Sequence, residues 1–242
     1  MSAGGAAGPE LIVALDVSRL AEVEALVTAI GPHVGYYKVG KQLFTRVGPA
    51  AVAWLKQANK RVFLDLKFHD IPNTVAQAVT AAVEGGADMV NVHASGGRAM
   101  IAAAAAAARQ ANPQALLVAV TVLTSLDRPA LAELGLDLPP ETQVVRLARL
   151  ARDAGAHGVV ASALESALIR QHCGPDFVQV VPGIRPAGAD VQDQKRVMTP
   201  AAAAALGIHY VVVGRPITGA DDPGRAAAAI REELRSGASR RR

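Results

Sequence analysis

Apolar runs of a few residues recur along this chain, each followed by a longer stretch whose apolar positions return every three or four residues. The runs predict eight strands, at residues 11–15, 35–40, 61–67, 89–93, 115–121, 158–161, 177–181 and 210–213. The stretches between them predict helices. In the first, Leu20, Val23, Val27 and Ile30 share one face, with Ser18 placed to cap the start and Gly31-Pro32 to end it. Further helices are predicted at 48–59, at 71–84 with Pro72 in the first turn, and at 97–110. Two more fall between strands five and six, the second at 140–154, and others at 163–172, 200–206 and 223–234. The alanine run at 102–108 belongs to one of these helices, since alanine is the strongest helix former.

Strand–helix units of roughly 30 residues require right-handed crossovers into a parallel sheet. The expected architecture is α/β, a closed (β/α)8 barrel (TIM barrel) forming a single domain over residues 10–235. Residues 1–9 and 236–242 are expected to be disordered tails, the second basic through Arg240-Arg241-Arg242. A doubly wound open sheet is the alternative, but no glycine-rich fingerprint follows the first strand. In the barrel the carboxyl ends of the strands share one face, where Asp16, Lys38, Asp65 and Lys67 surround a common centre.

The third strand and its loop, RVFLDLKFHDIPNTV at 61–75, put charge where a buried strand should have none. Val62, Leu64 and Leu66 alternate with Phe63, Asp65 and Lys67, so Asp65 and Lys67 point the same way. Asp70 follows in the loop, and two carboxylates and an ammonium are expected to converge at this strand end. An ion pair that only fixes packing is the alternative. Such pairs stabilise weakly, because desolvating both ions offsets their attraction. Three charges at the carboxyl end of a strand therefore point to chemistry.

Composition narrows the class. Hydrophobic residues make up 51% and charged residues 19%, a globular balance. The single cysteine, Cys173, excludes an intrachain disulfide, weakens any cysteine-based metal site and fits a reducing cytoplasm. No apolar run reads as a membrane span, and MSAGGAAGP lacks the basic and apolar regions of a signal peptide. The net charge of +4 includes the terminal arginine triplet, and aromatics are only 3%, so no nucleic-acid footprint is read.

Barrels of this kind often hold a phosphate between the loops after strands seven and eight. Here Arg185 and Gln194 follow strand seven, and Gly214-Arg215 follow strand eight, a guanidinium beside a bare amide. A surface ion pair is the alternative role for Arg215. The connection IRPAGADVQDQKRV, 184–197, is the longest without periodicity and reads as a functional lid. His69 and His93 share no ligand spacing, and Lys38 and Lys67 would put positive charge where a metal would have to sit. His93 reads as a hydrogen-bonded structural residue.

Taken together, LIVALDV, YYKVGKQLF, FLDLKFHDIPNTV, VNVHASGG, TVLTS, VVPGIRP, DQKRVMTP and VVVGRPIT resemble the orotidine 5'-monophosphate decarboxylase family in its common bacterial form. The D-x-K-x-x-D core is shared with related sugar-phosphate barrels; Lys38, the Arg185 and Gln194 loop and Gly214-Arg215 make the resemblance specific. It implies decarboxylation of orotidine 5'-phosphate to UMP, the last step of pyrimidine synthesis, without metal or organic cofactor. By position it makes Lys67 the proton donor to C6, with Lys38, Asp65 and Asp70 completing an alternating charge network. It assigns Asp16 and Lys38 to the ribose, Thr124 to the pyrimidine, and Arg185, Gln194, Gly214 and Arg215 to the phosphate end. It also implies a homodimer in which Asp70, Ile71 and Thr74 reach the neighbouring subunit's site. The rivals are a metal-dependent keto-sugar-phosphate decarboxylase or epimerase, opposed by Lys38 where an acidic ligand would help, and a non-enzymatic scaffold barrel, opposed by the charge cluster.

Overall fold

The computed structural model describes residues 8–186 and 198–239. Eight parallel strands close in chain order into a barrel. They are β1 (Glu10–Ala14), β2 (Tyr36–Gly40), β3 (Arg61–Phe68), β4 (Met89–His93), β5 (Leu116–Val120), β6 (Gly158–Val160), β7 (Val178–Val181) and β8 (Tyr210–Val213). Pairing of β1 with β8, from Glu10 opposite Tyr210 to Val13 opposite Val213, completes the ring. The α/β barrel expectation therefore holds, and the open sheet does not.

The alternation along each strand divides the core in two. Outward residues such as Val13, Val62, Leu64 and Val90 pack against helix residues Val27, Val75, Val79 and Ile101. Inward residues Ile12, Tyr36, Phe63, Met89, Val118, Val180 and Val212 fill the barrel's amino-terminal half. That end is closed further by the Tyr36 and Tyr210 rings, edge to face at 5.9 Å, with the Arg61 guanidinium 4.4 Å over Tyr36 and paired to Glu10. The polar inward residues lie above this plug, toward the carboxyl ends of the strands.

Several boundaries differ from expectation for identifiable reasons. Ser18 does not cap the first helix, Leu20–Ile30; its hydroxyl accepts a hydrogen bond from Gln42 Nε2. The Glu22 carboxylate instead accepts from the Ser18 and Arg19 N–H groups. An unpredicted helix, Lys41–Val47, precedes the one at Ala50–Gln57, and Gly48 separates them at φ 63°. Gly214-Arg215-Pro216-Ile217, read as a loop, starts a helical turn at Arg215–Thr218. The last helix runs from Pro223 to Ser239, so residues 236–239 are helical where a tail was expected. Its end docks closely: a Cβ on Gly237 would lie 2.3 Å from the Ala201 carbonyl oxygen. Residues 1–7 and 240–242 of the two expected tails, and 187–197 with Gln194 and most of the expected lid, lie outside the described residues.

Candidate functional site

Three adjacent strands build one charged wall. Strand β2 contributes Lys38, β3 contributes Asp65 and Lys67, and β4 contributes Asn91 and His93; Lys38, Asp65, Asn91 and His93 follow the same alternation that buries Tyr36, Phe63 and Met89 below them. The Lys38 ammonium stands between two carboxylates, 3.2 Å from Asp16 Oδ1 and 3.3 Å from Asp65 Oδ2. Lys67 Nζ lies 2.6 Å from Asp65 Oδ1. Asp16, Lys38, Asp65 and Lys67, placed around a common centre from their strand ends, thus form an unbroken line of alternating charge.

Lys67 reaches this position by a local departure from strand geometry. It has φ 54°, in the left-handed region, and the β3–β4 register shifts between Leu64, opposite Val90, and Phe68, opposite Val92. A left-handed lysine is unfavourable by about 1–2 kcal/mol and persists only where its surroundings hold it. One such hold is Asn91, whose Oδ1 accepts the Lys67 backbone N–H at 2.8 Å. The other end of the same amide, Nδ2, donates to Asp65 Oδ1 at 2.7 Å.

Burial alone would raise the pKa of Asp65, but the Lys38 and Lys67 ammoniums, with hydrogen bonds from Lys67 and Asn91, outweigh it and hold the carboxyl below its ordinary range. Burial lowers the pKa of His93, and the nearby His69, Lys41 and Lys67 push it further down against the opposing effect of Asp65. The His93 ring lies against His69, with centroids 5.5 Å apart, and makes no side-chain hydrogen bond with a described residue, contrary to its reading as a hydrogen-bonded histidine.

The charged wall faces an apolar one. Lys38, Asp65 and Lys67 share a cavity of about 180 Å³ with Val120, Val122, Leu123, Val160, Ala161, Pro182 and Val212, and Thr124 lines it too. Pockets for whole small ligands span roughly 300–1,000 Å³, so this cavity has room for one ring and not for a whole nucleotide. A Cβ on Gly214 would lie 3.5 Å from Ala14 Cβ and 3.7 Å from Asp16 Oδ2, so the end of β8 stands beside the end of β1. Arg215 follows it at the start of its helical turn, exposed. Arg185 is buried, and its backbone N–H donates to the Met198 carbonyl across the ends of the 187–197 connection.

Asp70 is not brought into the chain's own cavity. Its carboxylate accepts the Ile71 N–H at 2.6 Å, and among the described residues no ion pair joins it to Lys67. With Ile71 and His69 it lines a separate, open hollow beside Ser95 and Gly96. Ile71 is 67% exposed, and Thr74 is exposed on the first turn of the following helix. Of the two carboxylates expected at this strand end, Asp65 meets Lys67 in its own chain, whereas the loop after β3 turns Asp70 away from that cavity.

Two residues at the site escaped sequence reasoning. Asn91 is one; a lone amide in the apolar run MVNVH, on the Met89 and His93 face, was the available signal. Gly40 is the other, since a Cβ there would lie 2.8 Å from Lys38 Nζ and 3.4 Å from Asp16 Oδ1. Bare backbone at that point makes room for the Lys38–Asp16 pair. Among the described residues, no three His, Cys, Asp or Glu side chains group as metal ligands would, and no helix is long and apolar enough to cross a membrane.

Residues 9–230 match the family model described as the orotidine 5'-phosphate decarboxylase / HUMPS family. The orotidine 5'-phosphate decarboxylase of Moorella thermoacetica is 56% identical over 231 residues, covering 93% of this chain and 92% of that protein. The enzyme of the same name from Halorhodospira halophila is 53% identical over 93% of this chain and 96% of its own. Among solved structures, orotidine 5'-phosphate decarboxylase from Lactobacillus acidophilus superposes with a TM-score of 0.84 at 39% identity, covering 94% of this chain and 99% of that one.

Proposed function

This chain belongs to the orotidine 5'-phosphate decarboxylase / HUMPS family, and we propose that it converts orotidine 5'-phosphate to UMP and CO2, the last step of de novo pyrimidine synthesis. The observation that carries this reading is the alternating line Asp16–Lys38–Asp65–Lys67 on one wall of a ring-sized cavity. With the pyrimidine in that cavity, its C6 carboxylate meets Asp65 and Lys67. The bond from C6 to the carboxylate breaks, CO2 leaves, and the electron pair stays on C6. The Lys67 ammonium stabilises that pair and then gives C6 one proton, yielding UMP. Lys67, now a neutral amine, regains its proton from solvent. Asp65 holds the Lys67 ammonium in place, and its own depressed pKa keeps Asp65 ionised at neutral pH.

Asp16 and Lys38 take the ribose hydroxyls, and Thr124 takes the pyrimidine edge. Arg185, Gln194, Gly214 and Arg215 hold the phosphate, Gln194 being assigned from sequence alone. Support for Arg185 comes from its buried Nε, which has no hydrogen-bond partner among the described residues and which an anion would satisfy. Phosphate binding far from the breaking bond orients the substrate and so serves the transition state.

The second copy of a homodimer supplies Asp70, Ile71 and Thr74 to each site. This is supported by the Asp70 carboxylate lying outside its own chain's cavity and by the uncovered apolar side chain of Ile71 beside it. A cytoplasmic location belongs to the same reading. The reaction as drawn uses no metal or organic cofactor, since Lys67 provides both charge and proton. A metal-dependent keto-sugar-phosphate reaction fits less well, because the Lys38 ammonium occupies the place between Asp16 and Asp65 that a cation would take.

The test follows the ultraviolet absorbance of orotidylate with the purified chain, with and without a chelator. Equal loss of absorbance in both supports the proposal. Activity that stops on chelation and returns with divalent metal favours the keto-sugar-phosphate type of site. No change with well-folded protein sinks the assignment.

A further inference from the structure

We propose that Asn91 is a positioning residue for decarboxylation, one amide that sets both the carboxylate of Asp65 and the left-handed backbone of Lys67. The inference rests on the functional reading above and deepens it. Asn91 is 1% exposed, on an inward position of β4 with apolar neighbours Val90 and Val92 in sequence. An amide so buried is unfavourable unless its groups are bonded, and both ends of this one bond the same pair of residues two apart on β3.

The orientation of the amide is dictated by chemistry. A backbone N–H only donates and an ionised carboxylate only accepts, so Oδ1 must face Lys67 and Nδ2 must face Asp65. Flipping the amide would set two donors against each other on one side and two acceptors on the other. The consequence at Lys67 is conformational. Its N–H lies within the irregular stretch between Leu64 and Phe68, where the β3–β4 register shifts, and Asn91 supplies an acceptor there. The consequence at Asp65 is orientational. Oδ1 is shared between Asn91 and Lys67, which leaves Oδ2 turned to Lys38. One side chain therefore fixes which oxygen meets which ammonium.

Two substitutions separate this role from simple packing. Asn91→Ala removes both bonds; Asn91→Asp is nearly isosteric and can still accept from Lys67 N–H, but in its ionised form it cannot donate to Asp65 and repels it. A hydrogen bond to a charged group is lost in each, so kcat per folded molecule should fall between about tenfold and about a hundredfold, with KM changing less than about threefold. The acid limb of the kcat/KM profile should move to higher pH, further in Asn91→Asp than in Asn91→Ala, because Asp65 loses a donor in both and gains a like charge in one. Carboxyl 13C resonances of the substrate-free protein report the Asp65 titration without any turnover. They should show the same order.

Asn91→Asp provides the test if Asn91→Ala fails to fold. Wild-type kcat in the folded variants, or an Asp65 titration unmoved in both, overturns the proposal. A wild-type chain that leaves orotidylate unchanged overturns the functional reading instead, and the 13C titration then still decides whether Asn91 sets the Asp65 carboxylate.

Discussion

Lys67→Ala should abolish turnover while leaving product binding in place. In the wild type the ammonium is held 2.6 Å from Asp65 on the charged wall of the cavity. Its removal takes away two effects. A positioned general acid contributes about 10²–10⁴-fold, and a charge aimed at a developing anion about 10²–10³-fold. Both act through one ammonium on one carbon and so are not independent; the expected loss in kcat is at least about 10⁴-fold. UMP carries no charge at C6, and its other contacts lie at separate positions, so its Kd should change by less than about threefold. Asp65 keeps Lys38 at 3.3 Å and Asn91 at 2.7 Å, so it stays ionised at neutral pH with one cation fewer. Orotidylate, whose carboxylate then faces Asp65 less well compensated, should bind more weakly than UMP does. The assay is single-turnover loss of orotidylate absorbance with the variant in excess, alongside calorimetric Kd values for both nucleotides. Turnover within about tenfold of wild type would remove Lys67 from the proton transfer. Loss of UMP binding in proportion to kcat would make Lys67 a binding residue.

Lys67→Ala and Asp70→Ala chains unfolded and refolded together should recover roughly a quarter of wild-type activity, since about half the dimers are hybrids with one intact site of two; confirmed hybrids that stay inactive would show that the site is not shared. Arg215→Ala should lower kcat/KM for orotidine 5'-phosphate by about 10–100-fold and leave the phosphate-free nucleoside unaffected, and an equal loss for both would place Arg215 elsewhere than at the phosphate. Asp65 has a folded pKa below its ordinary 3.8, so its contribution to stability is complete above that value and lost as pH falls through the folded pKa. Denaturation of wild type and Asp65→Asn should therefore give a difference that is constant from about pH 5 to 7 and shrinks only in acid; a difference that shrinks on raising the pH would contradict the ionic network.

How much of this was legible beforehand depended on whether the signal was periodic. Alternation along β3 was enough to set Asp65 and Lys67 on one face, and eight such runs were enough for the barrel. The register shift after Leu64 and the left-handed Lys67 were not legible, because an irregularity changes pairing without changing composition. Asn91 was hidden for a related reason: its value lies in which atoms of β3 it faces, and that is register information. The helix at Lys41–Val47 follows β2 with no turn residue between them, and only Gly48 marked its end. Residues 236–239 were expected in the tail but continue the last helix, where the missing side chain of Gly237 allows close approach to Ala201. Spacing alone could not show on which side of the β3 loop Asp70 lies, because nearness in sequence does not fix nearness in space; only the family resemblance assigned it to a neighbouring subunit's site.

The charge arithmetic of the wall shows why such a cluster suits loss of a carboxylate. Asp16, Lys38, Asp65 and Lys67 are two carboxylates and two ammoniums, neutral as a set, and each interior member touches two of opposite sign. In the proposed reaction the substrate carboxylate is then a surplus negative charge set beside Asp65, while the apolar wall of Val120, Val160 and Val212 offers it no donor. Once CO2 leaves, the surplus resides on C6, where the Lys67 ammonium can remove it by transferring a proton. The asymmetry is built by the fold: β2, β3 and β4 carry polar residues on the inward positions above their buried aromatic or Met, whereas β5 to β8 carry Val on theirs. A barrel with polar residues on all eight strands would solvate the substrate carboxylate and so narrow the advantage that Lys67 gives to the electron pair on C6.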